Sequence, residues 1–455
     1  MFHLTDSDPA SPPANHWSWQ KWLAIVGGFA VVLFVFMVLH DERLEPYDDL
    51  RQQGGIAPPE KENGFVFLIS RWSRLPTPTK EDRVLTREMS EGTAVWDPAH
   101  LEKIKTGREN VAADLDEALA MPHWKVPAGL GNGIDFSYSS TLMPPFQLLR
   151  LEVAGFLQEG REAEAFAGIE RLHRLATRQL EGSGNLISYL VAVSLLASVM
   201  EPLATFVEQA EDDPGTLQKL AGWWEQDPPI IEGFNRAMAG EAIFLESVIP
   251  TLKRDIRSGY SSSFKGYLAT LFMKKNKTQN RVNRNLRKLI AVAMVPYPDR
   301  AAAEAAGAAE GPAVSPIIPA WLDLNFAGNQ LVDNNGYHKI IPGILRQLFN
   351  ARAFRVKIAL HQWQADHGPG LPATLEELVP DYLAKVPADP WNGQPLLWDQ
   401  ASGVIYAVGS DWTPDLPSAA DFKNKWFSGE HKSPGLRFAR PVPAPAAAAP
   451  PTLIE

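Results

Sequence analysis

The sequence predicts a mainly α-helical protein with one N-terminal transmembrane helix, a multi-helix soluble domain and a small C-terminal α+β module. Three observations lead to this fold class. Residues 22–39 form an uncharged apolar run, and apolar residues recur at helical spacing between residues 64 and 300. After His367, prolines and glycines separate short apolar runs, which is typical of turns and short strands. A chain of 455 residues is long enough for two or three domains with a buried core.

The apolar run Trp22–Leu39 is 18 residues long. At ~1.5 Å per residue, a helix of this length covers about 27 Å, close to the hydrocarbon thickness of a bilayer. The run exceeds the ~7–15-residue core of a cleaved signal peptide, so we predict an uncleaved signal anchor. Lys21 precedes it and Arg43 and Arg51 follow it, so the basic residues do not decide its orientation. We place the amino end in the cytoplasm and the bulk of the chain outside it.

Composition excludes some chemistry. The chain contains no cysteine, which rules out disulfides, thiolate nucleophiles and cysteine metal sites. Its net charge of −10 disfavours non-specific binding to nucleic acid. The 45% hydrophobic content is ordinary for a globular protein.

Shifts in composition divide the chain into seven parts. Polar or proline-rich segments flank and separate the apolar, helix-forming regions. The predicted parts are a disordered cytoplasmic tail (1–20), the anchor (21–40), a stalk (41–63), a helical domain (64–300), a linker (301–335), a C-terminal module (336–428) and a disordered Pro/Ala tail (429–455).

Within the helical domain, we predict helices at Gly64–Trp72 and Pro98–Met121, the latter capped by Asp97. The stretch 144–181 predicts two helices, Phe146–Glu159 and Arg161–Leu180, separated by Gly160. It resembles one tetratricopeptide-type hairpin, with small residues where the helices approach: Ala154, Ala163 and Ala165. An ordinary helical hairpin and a peptide-binding groove both fit this pattern.

Leu186–Met200 is strongly apolar and is followed by Glu201-Pro202, where we expect the helix to end. With 15 residues it is short for a second membrane span, and we predict a buried core helix. Pro214–Trp224 and Pro228–Ile249 continue the helical pattern.

Five positive charges recur at steps of three and four residues and define one helix face: Lys274, Lys277, Arg281, Arg284 and Lys288. A solvated face balanced by acidic residues elsewhere, and a contact with anionic lipid headgroups, both fit this pattern. No aromatic residues interleave with the charges, which argues against nucleic acid. We expect two partners for the whole chain, the lipid bilayer around the predicted anchor and a protein of the envelope, and no nucleic acid.

The C-terminal module begins with a long helix, Gly336–His367, followed by a helical turn at Leu375–Leu378. Strands at Pro395–Trp398 and Val404–Val408 form a predicted hairpin, with Trp391, Trp398 and Tyr406 in a small core. The order HGPGLP, LEELV, VPADPW, GQPLLW and YAVGSD resembles the globular part of the major pseudopilin of type II secretion. The whole chain also resembles uncharacterised bacterial single-pass membrane proteins with an anchor, a helical domain and this module.

The pseudopilin resemblance implies a bacterial inner-membrane protein with its bulk in the periplasm. It also implies a calcium site in the last loop, where Asp411 and Asp421 match the acidic positions and Asp415 lies between them. Calcium takes six to eight oxygen ligands, so two or three carboxylates with loop carbonyls would suit it. A solvated acidic loop with capping aspartates is the other interpretation of these three residues. We predict no other cofactor.

No motif indicates a reaction. His361 and His367 lie about 240° apart on a helix and do not face one another. The glycines of Gly129–Gly133 lack the preceding strand and following helix of a phosphate-binding loop. We therefore predict no catalytic residues and expect a structural or protein-interaction role, linked to secretion or pilus-like systems. The alternative is a membrane-tethered extracytoplasmic hydrolase that acts in the helical domain.

Overall fold

The structure is a computed structural model that describes a large part of the chain. The described residues are 26–33, 35–36, 40–54, 58–127, 137–210, 213–259, 273–294, 340–368, 370–409, 414–418, 421–422, 427 and 433–438. Their architecture is mainly helical, which confirms the coarse fold class. Several predicted parts lie outside these residues: the tail 1–20, the glycines at 129–133, the linker 301–335 and most of the tail 429–455.

The described helices pack against one another and precede a small sheet. They are α1 (Asp48–Gly54), α2 (Gly64–Trp72), α3 (Lys80–Ser90), α4 (Pro98–Lys105), α5 (Val111–Ala120), α6 (Ser137–Gln158), α7 (Glu162–Glu181), α8 (Leu186–Gln209), α9 (Pro214–Trp223), α10 (Ile230–Gly259), α11 (Lys275–Met294) and α12 (Ile341–His367). Two 3₁₀ turns lie at Glu60–Glu62 and Leu375–Leu378.

Local capping explains where several helices start. The Asp97 side chain accepts a hydrogen bond from the Ala99 N–H at the start of α4, as the sequence predicts. Asn185 and Ser188 form a reciprocal capping box at the start of α8. The predicted helix over 98–121 is wrong in its length, because Gly107 adopts a φ of +74° and separates α4 from α5.

Helices α6 and α7 form the predicted hairpin around Gly160, which has a φ of +66°. Of the three small residues predicted at their close approach, Ala165 is buried, Ala154 is half-buried and Ala163 is exposed. Gly168 makes the tight contact instead, since a Cβ there would lie 2.5 Å from Val153 Cγ2.

Helix α8 is a core helix that packs against α6, α7, α10 and α12. Among the described helices, α8 is the one that is long and apolar enough to cross a membrane, and 56% of its most apolar window is buried. It continues past Pro202, where we predicted it to end. A proline inside a helix has no backbone N–H to donate, and its ring clashes with the preceding turn, which together cost ~3 kcal/mol. Burial of the side chains of Leu203, Phe206 and Val207 offsets this cost, because each contributes about 1.5–3 kcal/mol.

Helix α12 begins the predicted C-terminal module, yet it is part of the helical core. It packs against α8, α9 and α10, and its Phe354 ring lies 5.5 Å from that of Trp224. The guanidinium groups of Arg352 and Arg355 both bind the Asp227 carboxylate, at 2.8 and 2.9 Å. Most of the described buried apolar residues, including those of α12, form one contiguous cluster. The predicted separation of a module at 336–428 from the helical domain is therefore wrong for α12.

The sheet is antiparallel with strand order β1-β2-β3, comprising β1 (Leu397–Asp399), β2 (Val404–Tyr406) and β3 (Gly435–Arg437). The hairpin of β1 and β2 forms where it was predicted, although β1 begins at Leu397 rather than Pro395 and β2 ends at Tyr406 rather than Val408. Strand β3 pairs with β2 and belongs to a segment that we predicted to be a disordered tail.

The core beneath the sheet also differs from the predicted one. Trp391 is buried, whereas Trp398 and Tyr406 are half-buried. The centre is formed instead by Ile405, Leu436 and their neighbours.

A closely packed glycine in α10 gives a test of the packing. A Cβ at Gly240 would lie 1.8 Å from the carbonyl oxygen of Gly184, in the turn between α7 and α8. We expect Gly240→Ala to lower the free energy of unfolding by about 1–3 kcal/mol, the usual cost of overpacking. Thermal melting of the full chain measures this change.

Gly222→Ala is the matched control, since nothing lies within 4 Å of a Cβ at that helical position. It is expected to be neutral or to gain about 0.5–1 kcal/mol. Equal melting temperatures for both variants would contradict the described packing of α10.

Candidate functional site

Residues 40–54 lie against the helical domain, where a free stalk was predicted. Tyr47 and Leu50 are buried in the core at 4% and 1% exposure, and α1 packs against α10. Further along, Asn63 pairs with His123 and caps α2. Two apolar side chains three residues apart would have been the sequence signal for this contact. The predicted stalk at 41–63 is therefore wrong for its described residues.

Asp41 caps the start of α11 from a distant part of the chain. Its carboxylate oxygens accept hydrogen bonds from the backbone N–H groups of Asn276, at 2.8 Å, and Lys277, at 3.1 Å. The first N–H groups of a helix have no acceptor within the helix, and a carboxylate there also suits the helix dipole. Met273 and Lys274 immediately precede α11 and offer no capping side chain. That missing local cap is the signal that an acceptor must come from elsewhere.

Side-chain amides of α11 continue this contact along residues 40–54. Asn280 Oδ1 accepts a hydrogen bond from the Glu45 N–H at 2.8 Å, and its Nδ2 donates to the Arg43 carbonyl at 2.9 Å. Asn276 Nδ2 donates to the Glu42 carbonyl at 2.9 Å. The two amides thus satisfy the backbone of a segment that has no regular secondary structure before α1.

Ion pairs hold the same segment one and two turns further along α11. The Arg287 guanidinium binds Asp49 through two hydrogen bonds of 2.7 and 2.8 Å. These bonds lower the pKa of the Asp49 carboxyl below its usual value. Arg284 lies 3.9 Å from Glu45. Burial and the hydrogen bond with Glu246 raise the pKa of Tyr47 to about 12.

The predicted basic face of α11 is therefore not a single solvent-exposed row. Lys274 precedes the helix and is buried at 7% exposure, and Arg284 pairs with Glu45. Arg287, which was not among the five residues, makes the strongest of these ion pairs. Acidic residues of 40–54 thus balance part of the face, which agrees with one of the two interpretations left open.

The three predicted calcium ligands are not brought together in the described residues. Asp411 lies outside them. Asp421 accepts hydrogen bonds from the Ser418 N–H at 2.7 Å and the Ser418 hydroxyl at 2.6 Å, so it caps a turn. No group of three His, Asp or Glu residues that could hold a metal occurs in the part of the chain that the structure describes. The calcium site stays a prediction.

A buried ionisable cluster, missed at the level of sequence, joins α12 to the sheet and to α8. Lys357 is fully buried, donates to the carbonyl oxygens of Phe438 and Arg437, and lies 3.8 Å from Glu208. His361, one turn along α12, packs its ring 4.5 Å from that of Phe438. Lys357 and His361 share one helix face at i and i+4 spacing, which is the only sequence signal for the pair.

Both ring nitrogens of His361 have no hydrogen-bond partner in the described part of the chain. Burial lowers the pKa of His361 to about 3, and the positive charge of Lys357 acts in the same direction. His367, in contrast, is exposed and stacks on Trp363. His173 of α7 is enclosed by Trp223 and Trp224, and burial lowers its pKa to about 4.

No protein-family model, curated protein or solved structure matches this chain. The resemblance of the C-terminal residues to a pseudopilin therefore stays a prediction from the sequence. What remains as the candidate site is the contact between residues 40–54 and α11, because it joins the helical domain directly to the apolar N-terminal run.

The Asp41 cap can be tested by hydrogen exchange on the full chain. Asp41→Ala removes the acceptor for two backbone N–H groups and is expected to cost about 1 kcal/mol, the usual worth of such a cap. The amides of Asn276 and Lys277 should then exchange faster than in the wild type. Asp41→Asn keeps a good capping side chain and should restore most of the protection. Unchanged exchange in Asp41→Ala would contradict the cap.

The buried histidines predict a dependence of stability on pH. In the unfolded chain a histidine has a pKa near 6.5. His361 has a pKa of about 3 in the folded state, so between these values only the unfolded chain binds the proton. The contribution of such a histidine to the free energy of unfolding is therefore fully present above about pH 6.5. It is lost as the pH drops toward 3, by up to about 1.4 kcal/mol per pH unit for each such histidine.

His361→Leu is expected to reduce this loss between about pH 6.5 and 5, a range above the unfolded pKa values of carboxyl groups. Chemical unfolding of the full chain at several pH values measures the slope. The neighbouring Gln362→Leu is the control, because an amide does not titrate and the slope should persist. A wild-type slope in His361→Leu would show that this histidine is not buried in its neutral form.

Proposed function

We propose that this chain is a single-pass membrane protein of the bacterial envelope whose helical domain binds a partner protein. Its amino end lies in the cytoplasm and its bulk in the periplasm. Its expected context is a secretion or pilus-like system, because of the pseudopilin resemblance. The single observation that carries the proposal is the exposed apolar helix formed by residues 26–33, 35 and 36, hereafter the apolar helix.

The large side chains of the apolar helix face outward from the rest of the protein. Phe29 is 68% exposed, Val32 is 66% exposed, and five others are between 45% and 62% exposed: Val26, Val31, Leu33, Val35 and Phe36. Nothing lies within 4 Å of a Cβ placed at Gly27 or Gly28. Covering one such side chain is worth about 1.5–3 kcal/mol, so an outer environment of apolar character is favoured.

A bilayer suits this helix better than a protein groove does. A groove needs one apolar stripe, whereas here the exposed residues include consecutive positions such as Val31, Val32 and Leu33. A helix that is apolar all round belongs in a membrane or in the centre of a large core. The uncharged run extends from Trp22 to Leu39, which is sufficient to span the hydrocarbon region.

A structural or protein-binding role is supported by the ion pairs of the helical domain, which join one element of the fold to another. The ion pairs of Asp227, Asp49 and Lys357 connect elements of the fold. The His361 ring packs against Phe438 and the His173 ring against Trp223 and Trp224, and both histidines stay neutral near pH 7. General acid–base catalysis requires a group that reaches substrate and titrates near the working pH.

Crosslinking of the full chain in intact membranes tests the proposed role. A stoichiometric protein partner supports it. Absence of such a partner, together with turnover of a substrate by the purified chain, would overturn it in favour of the membrane-tethered hydrolase. A reporter fused after Glu455 tests the orientation, and activity of a periplasm-specific reporter is the expected result.

The apolar helix gives a matched pair of substitutions for membrane association. Val32→Lys places a charge near the middle of the proposed span, which costs about 2.5–3.5 kcal/mol on insertion scales. We expect this variant to lose a large part of the carbonate-resistant membrane fraction. Leu190→Lys, at a 41% exposed position of the core helix α8, should remain in the membrane fraction. The opposite outcome would assign the span to α8.

A further inference from the structure

We propose that residues 40–43 and the first turn of α11 form a membrane-apposed surface that holds the helical domain directly on the lipid headgroup layer. This inference rests on the proposed membrane anchor and adds to it the face of the domain that meets the bilayer. The occupant of the surface is the phosphate-bearing headgroup layer of the lipids around the anchor.

The first step is that the apolar helix and the segment that contacts the domain are only a few residues apart along the chain. The His40 N–H donates to the Phe36 carbonyl at 2.7 Å, which continues the helical hydrogen-bond pattern, and the two rings stack 4.7 Å apart. The next residue, Asp41, already caps α11. The first turn of α11 therefore lies within one side-chain length of residue 41.

The second step is that this geometry is fixed by several independent contacts. Residues 41–50 can separate from the helical domain only if the Asp41 cap, the two hydrogen bonds of Asn280 and the ion pair of Arg287 with Asp49 are lost. Burial of Tyr47 and Leu50 adds an apolar contribution at the same place. A flexible connection would instead let the domain reorient freely above the membrane.

The third step is the character of the side chains at this corner. Lys275 and Arg43 are exposed, Lys277 is half-buried, and the His40 ring is exposed. A basic residue near an anionic membrane surface contributes about 1 kcal/mol, and long basic side chains place their charges among the headgroups. The acidic groups nearby are Asp41, whose carboxylate is bound to two N–H groups, and the exposed Glu42. We assign the headgroup layer as the occupant because this surface lies next to the anchor, and not because of the net charge of the surface.

The absence of cysteine from the sequence makes site-specific labelling of the full chain direct. Lys275→Cys and Lys385→Cys would each be labelled with a fluorophore and placed in nanodiscs whose lipids carry a nitroxide quencher at the headgroup. Both lysines are exposed, but Lys385 follows the 3₁₀ turn next to α12, on another part of the domain. We expect several-fold stronger quenching at position 275 than at position 385.

The role of the contacts is tested by adding Asp41→Ala, Asn280→Ala and Arg287→Ala together to the Lys275→Cys chain. Quenching at position 275 should fall in this variant, whereas Asp41→Ala alone should keep most of it because the other contacts remain. Equal quenching at positions 275 and 385, or none at 275 in a chain that floats with vesicles, would overturn the membrane-apposed surface. Failure of the labelled chain to float with vesicles would instead overturn the proposed anchor.

Discussion

The start of α11 depends on an acceptor that its own segment does not supply, and Asp41 provides it from 235 residues away. This requirement fixes much of the molecule. It draws residues 40–54 onto α10 and α11, which buries Tyr47 and Leu50 and brings Asp49 to Arg287. An unsatisfied buried N–H costs about 1–3 kcal/mol, so one aspartate exerts a large influence on the position of the domain. The described part of the apolar helix ends at Phe36, five residues before this aspartate in the sequence.

The features that the sequence predicted correctly are those whose causes are local. Asp97 caps α4 from two residues away, Gly160 ends α6 by its own backbone conformation, and Leu375–Leu378 forms one turn within its own segment. The apolar character of Leu186–Met200 predicted a core helix because its length and polar residues argued against a span. In each case the residues that decide the structure lie within a few positions of the element.

The features that the sequence did not predict depend on distant partners. Gly168 approaches Val153 and Gly240 approaches Gly184, but a glycine does not indicate which backbone will come near it. The boundary before α12 was misplaced because Asp227, which binds Arg352 and Arg355, lies more than a hundred residues earlier in the chain. Strand β3 lies next to a Pro/Ala-rich tail, and only its pairing with β2 distinguishes it from that composition. The candidate site itself joins two segments that composition assigned to a stalk and to a solvated helix face.

The position of α12 has a consequence for how the protein is made. This helix completes the core around Trp224 and α8, yet it begins at Ile341, about 80 residues after the end of α10 at Gly259. The core formed by α8, α9 and α10 is consequently incomplete while the nascent chain is still being translated. The final packing of these helices has to wait until α12 has been made, so the chain passes through an intermediate that exposes their apolar side chains.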